Sequence, residues 1–466
     1  MFVKLSIKRS SLEKLLKSQH SSEYSDVLFS SITTSSLEAQ SGSIFVPLID
    51  KRDGHDFIVD AMTRGAAGFL CQQDHPQLKR LSPEMLKQAI FVPDTLRALG
   101  RVAEAHRLQF QLPVIAVTGS NGKTTTKDLI ATIFQSAYKK KLHATEKNFN
   151  NEIGLPFSIF GLNKQHKIAV FEMGMNHAGE IARLSKMARP ETGVITSVGH
   201  AHIEFFKSTA AIARAKGEIL KGMKKGGALF VPKSILHLSI LKTLAQKSGV
   251  KLQTVSLENA GLKIAKQDEQ GYELLLGKEK FRFNFFGSKV LENLSLAVAV
   301  AKKYALTNQQ IVSGIKKYKP AAGRFSVRRG YFTVIDDGYN ANPDSTMASF
   351  DALKHIAGDK PLAIVLGDFK ELGTFSKRLH EKVADAIAQE FSSNTAIFSY
   401  GDQAQLITER LRKQFNFPSA QNFVATDAGR QDLIGRLSKL KRGSVILIKG
   451  SRSMQMEKIA ESLKLS

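Results

Sequence analysis

The sequence predicts an α/β protein of three domains, and three observations carry that expectation. A chain of 466 residues is too long for one compact core and suggests about three domains. From Pro113 onward, short apolar runs alternate with helical patterns, as a parallel sheet with crossover helices requires. The alternation restarts after "KPAAGR" near Pro320, as it would in a separate unit.

Residues 1–112 mix short strands and helices. Within them "GSIFVPLIDKRDGHDFIVDAMTRGAAGFLC" reads as strand, polar loop, helix, strand, so a small mixed α/β domain is expected. Residues 113–319 form the central unit, with apolar strands "VIAVTG", "KIAVFEMG", "TGVITSVG" and "GALFVP". Around "AGLKIAKQDEQGYELLLGKEKFRFNFFG" the rhythm becomes alternating strands and tight turns, an antiparallel add-on. "LENLSLAVAVAKKYAL" and "NQQIVSGIKKY" then read as helices. Residues 320–466 return to strands with helices between, namely "YFTVIDD", "LAIVLGD", "AIFSYG", "NFVAT" and "SVILIKG". That is a second doubly wound, Rossmann-like domain.

The composition excludes several classes. Hydrophobic residues make up 42% of the chain, ordinary for a globular protein and too many for a disordered one. No apolar run approaches the roughly 20 residues that span a bilayer. "MFVKLSIKRSSLEKLL" is charged too early to read as a signal peptide. The one cysteine, Cys71, permits no internal disulfide, which fits a reducing cytoplasm; it reads as a small core residue rather than a catalytic thiol. The net charge of +25 suits nucleic acid, an anionic substrate or a general basic bias on solvated faces. The lysines are scattered and aromatic-rich binding motifs are absent, so no nucleic-acid partner is expected.

The chemistry begins at "VIAVTGSNGKTTTKDLI", residues 114–130. An apolar strand runs into a glycine loop and then a helix. The usual phosphate-loop pattern is G-x-x-x-x-G-K-[ST]; here Val117 replaces the first glycine and the loop is the shorter "TGSNGKTT". Its physics survives. Gly119 and Gly122 allow amides to approach phosphates closely. Lys123 supplies a point charge, the Thr124 hydroxyl can bind magnesium, and the helix presents its N-terminal dipole. Thr118, Ser120, Asn121 and Thr125 complete the expected phosphate cradle.

Glu172 ends "IAVFEMG", His202 follows "VITSVGHAH", and Lys216 lies in "AAIARAKGEIL". Ends of parallel strands share one crevice, so the carboxylate and the imidazole could hold a divalent ion there. A lone histidine after a strand is also a common structural hydrogen-bonder. A lysine ammonium is no ligand, but it becomes one by taking up carbon dioxide, because a carbamate resembles a carboxylate.

These residues, with "NFNNEIGLP", "FEMGMNHAGEI", "VGHAHIEFF", "ARAKGEI", "DDGYNANPDS", "LGDFKELG" and "IKGSRSMQME", resemble the Mur ligases, the ATP-dependent amide-forming enzymes of peptidoglycan synthesis. The resemblance runs in order through nearly the whole chain. It is greatest to the members that add D-alanyl-D-alanine to UDP-N-acetylmuramoyl-tripeptide. Members adding the third residue would carry an Asp-Asn-Pro-Arg-like motif, and none is found. Folylpolyglutamate synthases share the ATPase core but fit the first and last domains less well.

The resemblance implies one domain for the UDP end, one for ATP and one for the incoming amine. It implies a carbamylated Lys216 that holds a second Mg2+ with Glu172 and His202, while Thr124 binds the first. It matches Asn293 to an adenine contact, Arg324 to a phosphate contact and Asp337 to a nucleotide contact. Lys123, Lys216, His202 and Arg324 become the expected catalytic set. Ser36, Asn150, Asn151, Tyr339, Asn340 and Asn342 become substrate contacts, although asparagines before proline also simply make turns. Two departures stand out. Lys289 and Val290 replace the His-Asn of the adenine pattern, and Ser35, Ser36 and Leu37 replace an Asp-Ser-Arg in the first domain. A monomer is expected. The rival classes are a phosphate-loop switch or motor and a non-enzymatic nucleic-acid binder.

Overall fold

The computed structural model describes residues 1–18 and 26–463. It contains an N-terminal sheet, a central sheet, a small antiparallel sheet and a C-terminal sheet. The first holds β1 (Phe2–Lys8), β2 (Leu28–Thr33), β3 (Ser43–Phe45), β4 (Gly68–Gln72) and β5 (Ala89–Val92), in that spatial order. β1 pairs antiparallel with β2, and the later pairs are parallel.

The central sheet holds β6 (Val114–Thr118), β7 (Leu142–Ala144), β8 (Ile168–Glu172), β9 (Thr192–Ile195), β10 (Ala228–Pro232) and β11 (Lys251–Val255). Its order is β11-β10-β9-β6-β8-β7, all parallel. Helices cover both faces, so both faces must be apolar. Val114 and Ala116 of β6 join one buried cluster, while Ile115 and Val117 join another. β8 divides in the same way, Ala169 and Phe171 against Ile168 and Val170. This two-sided burial is why the strands read as unbroken apolar runs. The expected add-on is the antiparallel meander β12 (Leu262–Asp268), β13 (Gly271–Leu276), β14 (Glu279–Phe283).

The C-terminal sheet holds β15 (Ser326–Arg329), β16 (Thr333–Asp336), β17 (Leu362–Gly367), β18 (Ala396–Tyr400), β19 (Gln421–Phe423) and β20 (Val445–Lys449), ordered β15-β16-β20-β17-β18-β19. Only β15 is antiparallel. In the central and C-terminal sheets, three strands, β7, β11 and β15, escaped the sequence reading. All lie at sheet edges and are largely half-buried or exposed, so they lack the apolar run that marks a central strand. "NFVAT" is strand only to Phe423, and Val424 is exposed. No helix among the described residues is long and apolar enough to cross a membrane.

Candidate active site between the central and C-terminal sheets

The strand order puts β6 between β8 and β9, so the loops leaving these three strands meet at a topological switch point. Residues 119–122 connect β6 to the helix Lys123–Tyr138. Gly122 enters that helix at φ 79°, and a Cβ there would lie 2.6 Å from Asn293 Oδ1. Asn293 therefore rests directly on the loop. A Cβ on Gly119 would lie 1.9 Å from Thr196 Oγ1, so only glycine fits.

The loop leaving β9 braces the glycine loop. Asn121 N donates to Ser197 Oγ (2.8 Å), Ser120 N to Ser197 O (3.0 Å), Thr196 Oγ1 to Asn121 O (2.5 Å) and Gly199 N to Ser120 Oγ (3.0 Å). Lys123 Nζ folds back onto Gly119 O (2.7 Å) and Ser120 O (3.3 Å). Burial lowers its pKa; the Glu172 charge opposes this, Arg324 adds to it, and Glu371 opposes it. The buried hydroxyls of Thr118 and Thr126 have no hydrogen-bond partner among the described residues, and Thr125 is half-buried. Thr124 is half-buried in the first turn of the helix.

Glu172 closes β8 and is 2% exposed. Its Oε1 accepts from Asn150 Nδ2 at 2.7 Å, while Oε2 is buried with no hydrogen-bond partner among the described residues. Lys216, in the helix Thr209–Gly217, is also 2% exposed. Burial first, and the Lys123 charge second, hold its pKa well below the usual lysine range. His202 sits at φ 63° before the short helix Ile203–Phe206, with Nδ1 2.6 Å from Glu371 Oε2. A carboxylate oxygen orphaned in the interior costs free energy unless something positive meets it. The free amine is the form of a lysine that takes up carbon dioxide, and burial makes that form of Lys216 easier to reach. This donor set fits a divalent cation.

The C-terminal sheet supplies the other wall. Gly323 and Phe325 have positive φ, and Arg324 between them stacks its guanidinium 4.1 Å from the Tyr339 ring centroid. Asp337 supports this turn: Oδ1 accepts from Phe325 N at 3.1 Å, while Oδ2 takes Ser349 Oγ at 3.1 Å and pairs with buried Lys449. Its carboxylate is thus already engaged within the C-terminal unit. Asn340 Oδ1 accepts from Ala341 N at 2.9 Å. Asn342 caps the helix Pro343–Ala357 through Ser345 N (3.0 Å) and exchanges amide hydrogen bonds with Asn121 of the glycine loop at 2.7 and 3.2 Å.

Ser36 and Asn151 have local partners outside this set. Ser36 is buried after β2, close enough to Asp60 to lower its pKa. Asn151 Oδ1 caps the helix Gly154–Phe160 by accepting from Gly154 N at 2.8 Å. Sequence reasoning assigned no role to Thr196, Ser197, His200, Asp344 or Glu371. All five sit inside "VITSVGHAH", "DDGYNANPDS" and "LGDFKELG", and their position after a strand was the usable signal. It also missed Asp53, His55 and His75, whose ligand atoms cluster within 4.8 Å. There Asp53 takes both rings (2.7 and 2.9 Å), and the backbone amides of Gln72 and Gln77 occupy the other ring nitrogens. Every ring nitrogen is engaged, so this group is a structural brace.

A glycine loop after a parallel strand, a buried carboxylate at the end of the neighbouring strand and an arginine from a separate sheet suit an ATP-using ligase. The sequence comparisons agree: residues 117–301 match the Mur ligase middle domain and residues 323–452 the Mur ligase glutamate ligase domain. The chain belongs to the Mur ligase family. It is 30% identical to the UDP-N-acetylmuramoyl-tripeptide–D-alanyl-D-alanine ligase of Bacillus subtilis, over 95% of this chain and 94% of that protein. The MurF crystal structure from Acinetobacter baumannii superposes with a TM-score of 0.86 at 27% identity, covering 99% of both chains. The MurF ligase of Thermotoga maritima in complex with ADP gives 0.78 at 26%, covering 92% of this chain and 96% of that one.

Proposed function

We propose that this chain joins D-alanyl-D-alanine to UDP-N-acetylmuramoyl-tripeptide, giving the pentapeptide precursor, ADP and phosphate. The observation that supports the reading is a glycine loop on which Lys123 folds back, with the charges of Glu172 and of Arg324 from the C-terminal unit both acting on that lysine. Lys123 responds electrostatically to Glu172 and Arg324, and Lys216 to Lys123. The names of the relatives support the choice of substrates.

A carboxylate does not acylate an amine at neutral pH, because its leaving group would be oxide. Phosphorylation by the ATP γ-phosphoryl makes an acyl phosphate with a good leaving group. The dipeptide amine then attacks the carbonyl, and phosphate departs. In the first step two anions approach one another. Lys123 and Arg324 offset that repulsion and stabilise the transferring group. Thr124 would hold one Mg2+, and Glu172, His202 and a carbamylated Lys216 the other; bound there, the ions would neutralise charge on the phosphates. The residues come from two sheets, so docking of the C-terminal unit completes the site and excludes water. Tyr339 and Asn340 present neutral groups to a small zwitterion. We assign the UDP end to residues 1–112, ATP to 113–319 and the dipeptide to 320–466, in a monomer working in the cytoplasm.

The test is phosphate release from ATP with UDP-N-acetylmuramoyl-tripeptide, with and without D-alanyl-D-alanine. Release that depends on both supports the reading. A competition of equal D-alanyl-D-alanine, lysine and meso-diaminopimelate tests the amine. Preference for either single amino acid would overturn the dipeptide assignment and leave the ligase chemistry standing.

A further inference from the structure

The loop leaving β9 carries His202, and the C-terminal unit grips it at two points. Asp344 Oδ2 accepts from His200 N at 2.5 Å, and its Oδ1 lies 2.9 Å from His200 Nδ1. On the other side, Glu371 O accepts from Glu204 N at 3.2 Å, and a Cβ on Gly373 would lie 2.9 Å from Glu204 Cγ. Between the two grips, Glu371 Oε2 reaches to 2.6 Å from His202 Nδ1. That nitrogen is sealed from solvent and makes no hydrogen bond of standard geometry to any described residue; the Glu371 carboxylate faces it as a close ion-pair partner.

Imidazole has two nitrogens, and a metal-binding histidine holds its proton on the one facing a carboxylate or carbonyl. A proton held on Nδ1 leaves the Nε2 lone pair free. Glu172 and Lys216 lie within the span of the middle-domain match, whereas Glu371 lies within the C-terminal one. The histidine's orienting partner therefore comes from a different unit than the other ligand candidates.

We propose that Glu371 is a positioning residue that fixes the His202 tautomer when the C-terminal unit docks, so that the cation cradle is complete only in the docked molecule. The proposal rests on reading Glu172, His202 and Lys216 as a cation site. It makes domain docking and cation affinity two faces of one equilibrium. Whatever favours docking tightens the ion, and the ion in turn favours docking.

The test is Mn2+ binding to the full chain with a non-hydrolysable ATP analogue, followed by electron paramagnetic resonance. Wild type, Glu371→Ala and Glu371→Gln are compared. The Glu371 side chain is 43% exposed, so its removal empties no core. Losing the orienting partner should weaken Mn2+ binding by about 10–100-fold. Glutamine, whose amide oxygen still accepts from Nδ1–H, should restore most of it. Equal affinity in wild type and Glu371→Ala overturns the proposal. Equal losses in both variants overturn it too, because Glu371 would then be a ligand itself. A wild type that binds no Mn2+ beyond that carried by the nucleotide overturns both the proposal and the reading of the site.

Discussion

Lys123 and Lys216 are both made less basic by burial, yet the proposed mechanism asks opposite things of them. Lys123 is opposed by Glu172 and Glu371, which help it keep its charge for phosphate. Lys216 meets another cation besides its own desolvation, which lowers its pKa further and suits the carbamate proposed for it. Lys123→Ala should therefore lower turnover by about 10²–10³-fold or more, as when a fixed stabiliser of developing charge is removed. Near-normal steady-state turnover would mean that the loop is not the phosphate site. Lys216→Ala should lose activity and regain part of it with acetate, since a free carboxylate can fill the vacancy. An acetate titration that restores nothing would remove the carbamate from the mechanism.

At the scale of elements, Asn342 does two jobs. Its side chain caps the helix Pro343–Ala357 and pairs with Asn121 across the junction. Asn342→Ala should cost about 0.5–2 kcal/mol from the lost cap alone, read as a lower urea midpoint. Asn342→Ser keeps a capping hydroxyl but cannot exchange two amide hydrogen bonds. It should hold the midpoint of the wild type and raise the KM for ATP. If both variants lower the midpoint equally and leave KM alone, the pair with Asn121 contributes nothing to nucleotide binding.

At the scale of the whole molecule, the central and C-terminal units meet through few polar contacts. Asp344 with His200, Glu371 with His202, and Asn342 with Asn121 are the main ones at the site. Farther out, Asp351 takes Ser288 N at 2.9 Å and His355 Nε2 lies 2.6 Å from Asp268 O. Interfaces of this polar kind permit relative motion. Asp344→Ala removes the acceptor of both His200 contacts and should raise the radius of gyration in small-angle X-ray scattering. Saturating nucleotide should draw it back. Scattering identical to wild type would mean that packing alone holds the units together.

The sequence by itself determined the α/β class, the central strands and the glycine loop. Those features are local: unbroken apolar runs mark strands buried on both faces, and Gly119, Gly122, Lys123 and Thr124 are read off one continuous stretch. It also nominated Glu172 and His202, which follow parallel strands, and Lys216 in the helix Thr209–Gly217 as cation ligands, an assignment that stays a proposal. It did not reveal edge strands such as β15, which are too exposed to carry an apolar pattern. It could not tell that Asp337 is engaged by Lys449 and Phe325, or that Asn342 caps a helix and also pairs with Asn121. Nor could it foresee that Glu371 faces His202 from another sheet. Each of these pairs lies far apart in sequence or on different units, with no periodicity linking its members. Strand order and domain docking alone bring them together, so only the tertiary structure decided them.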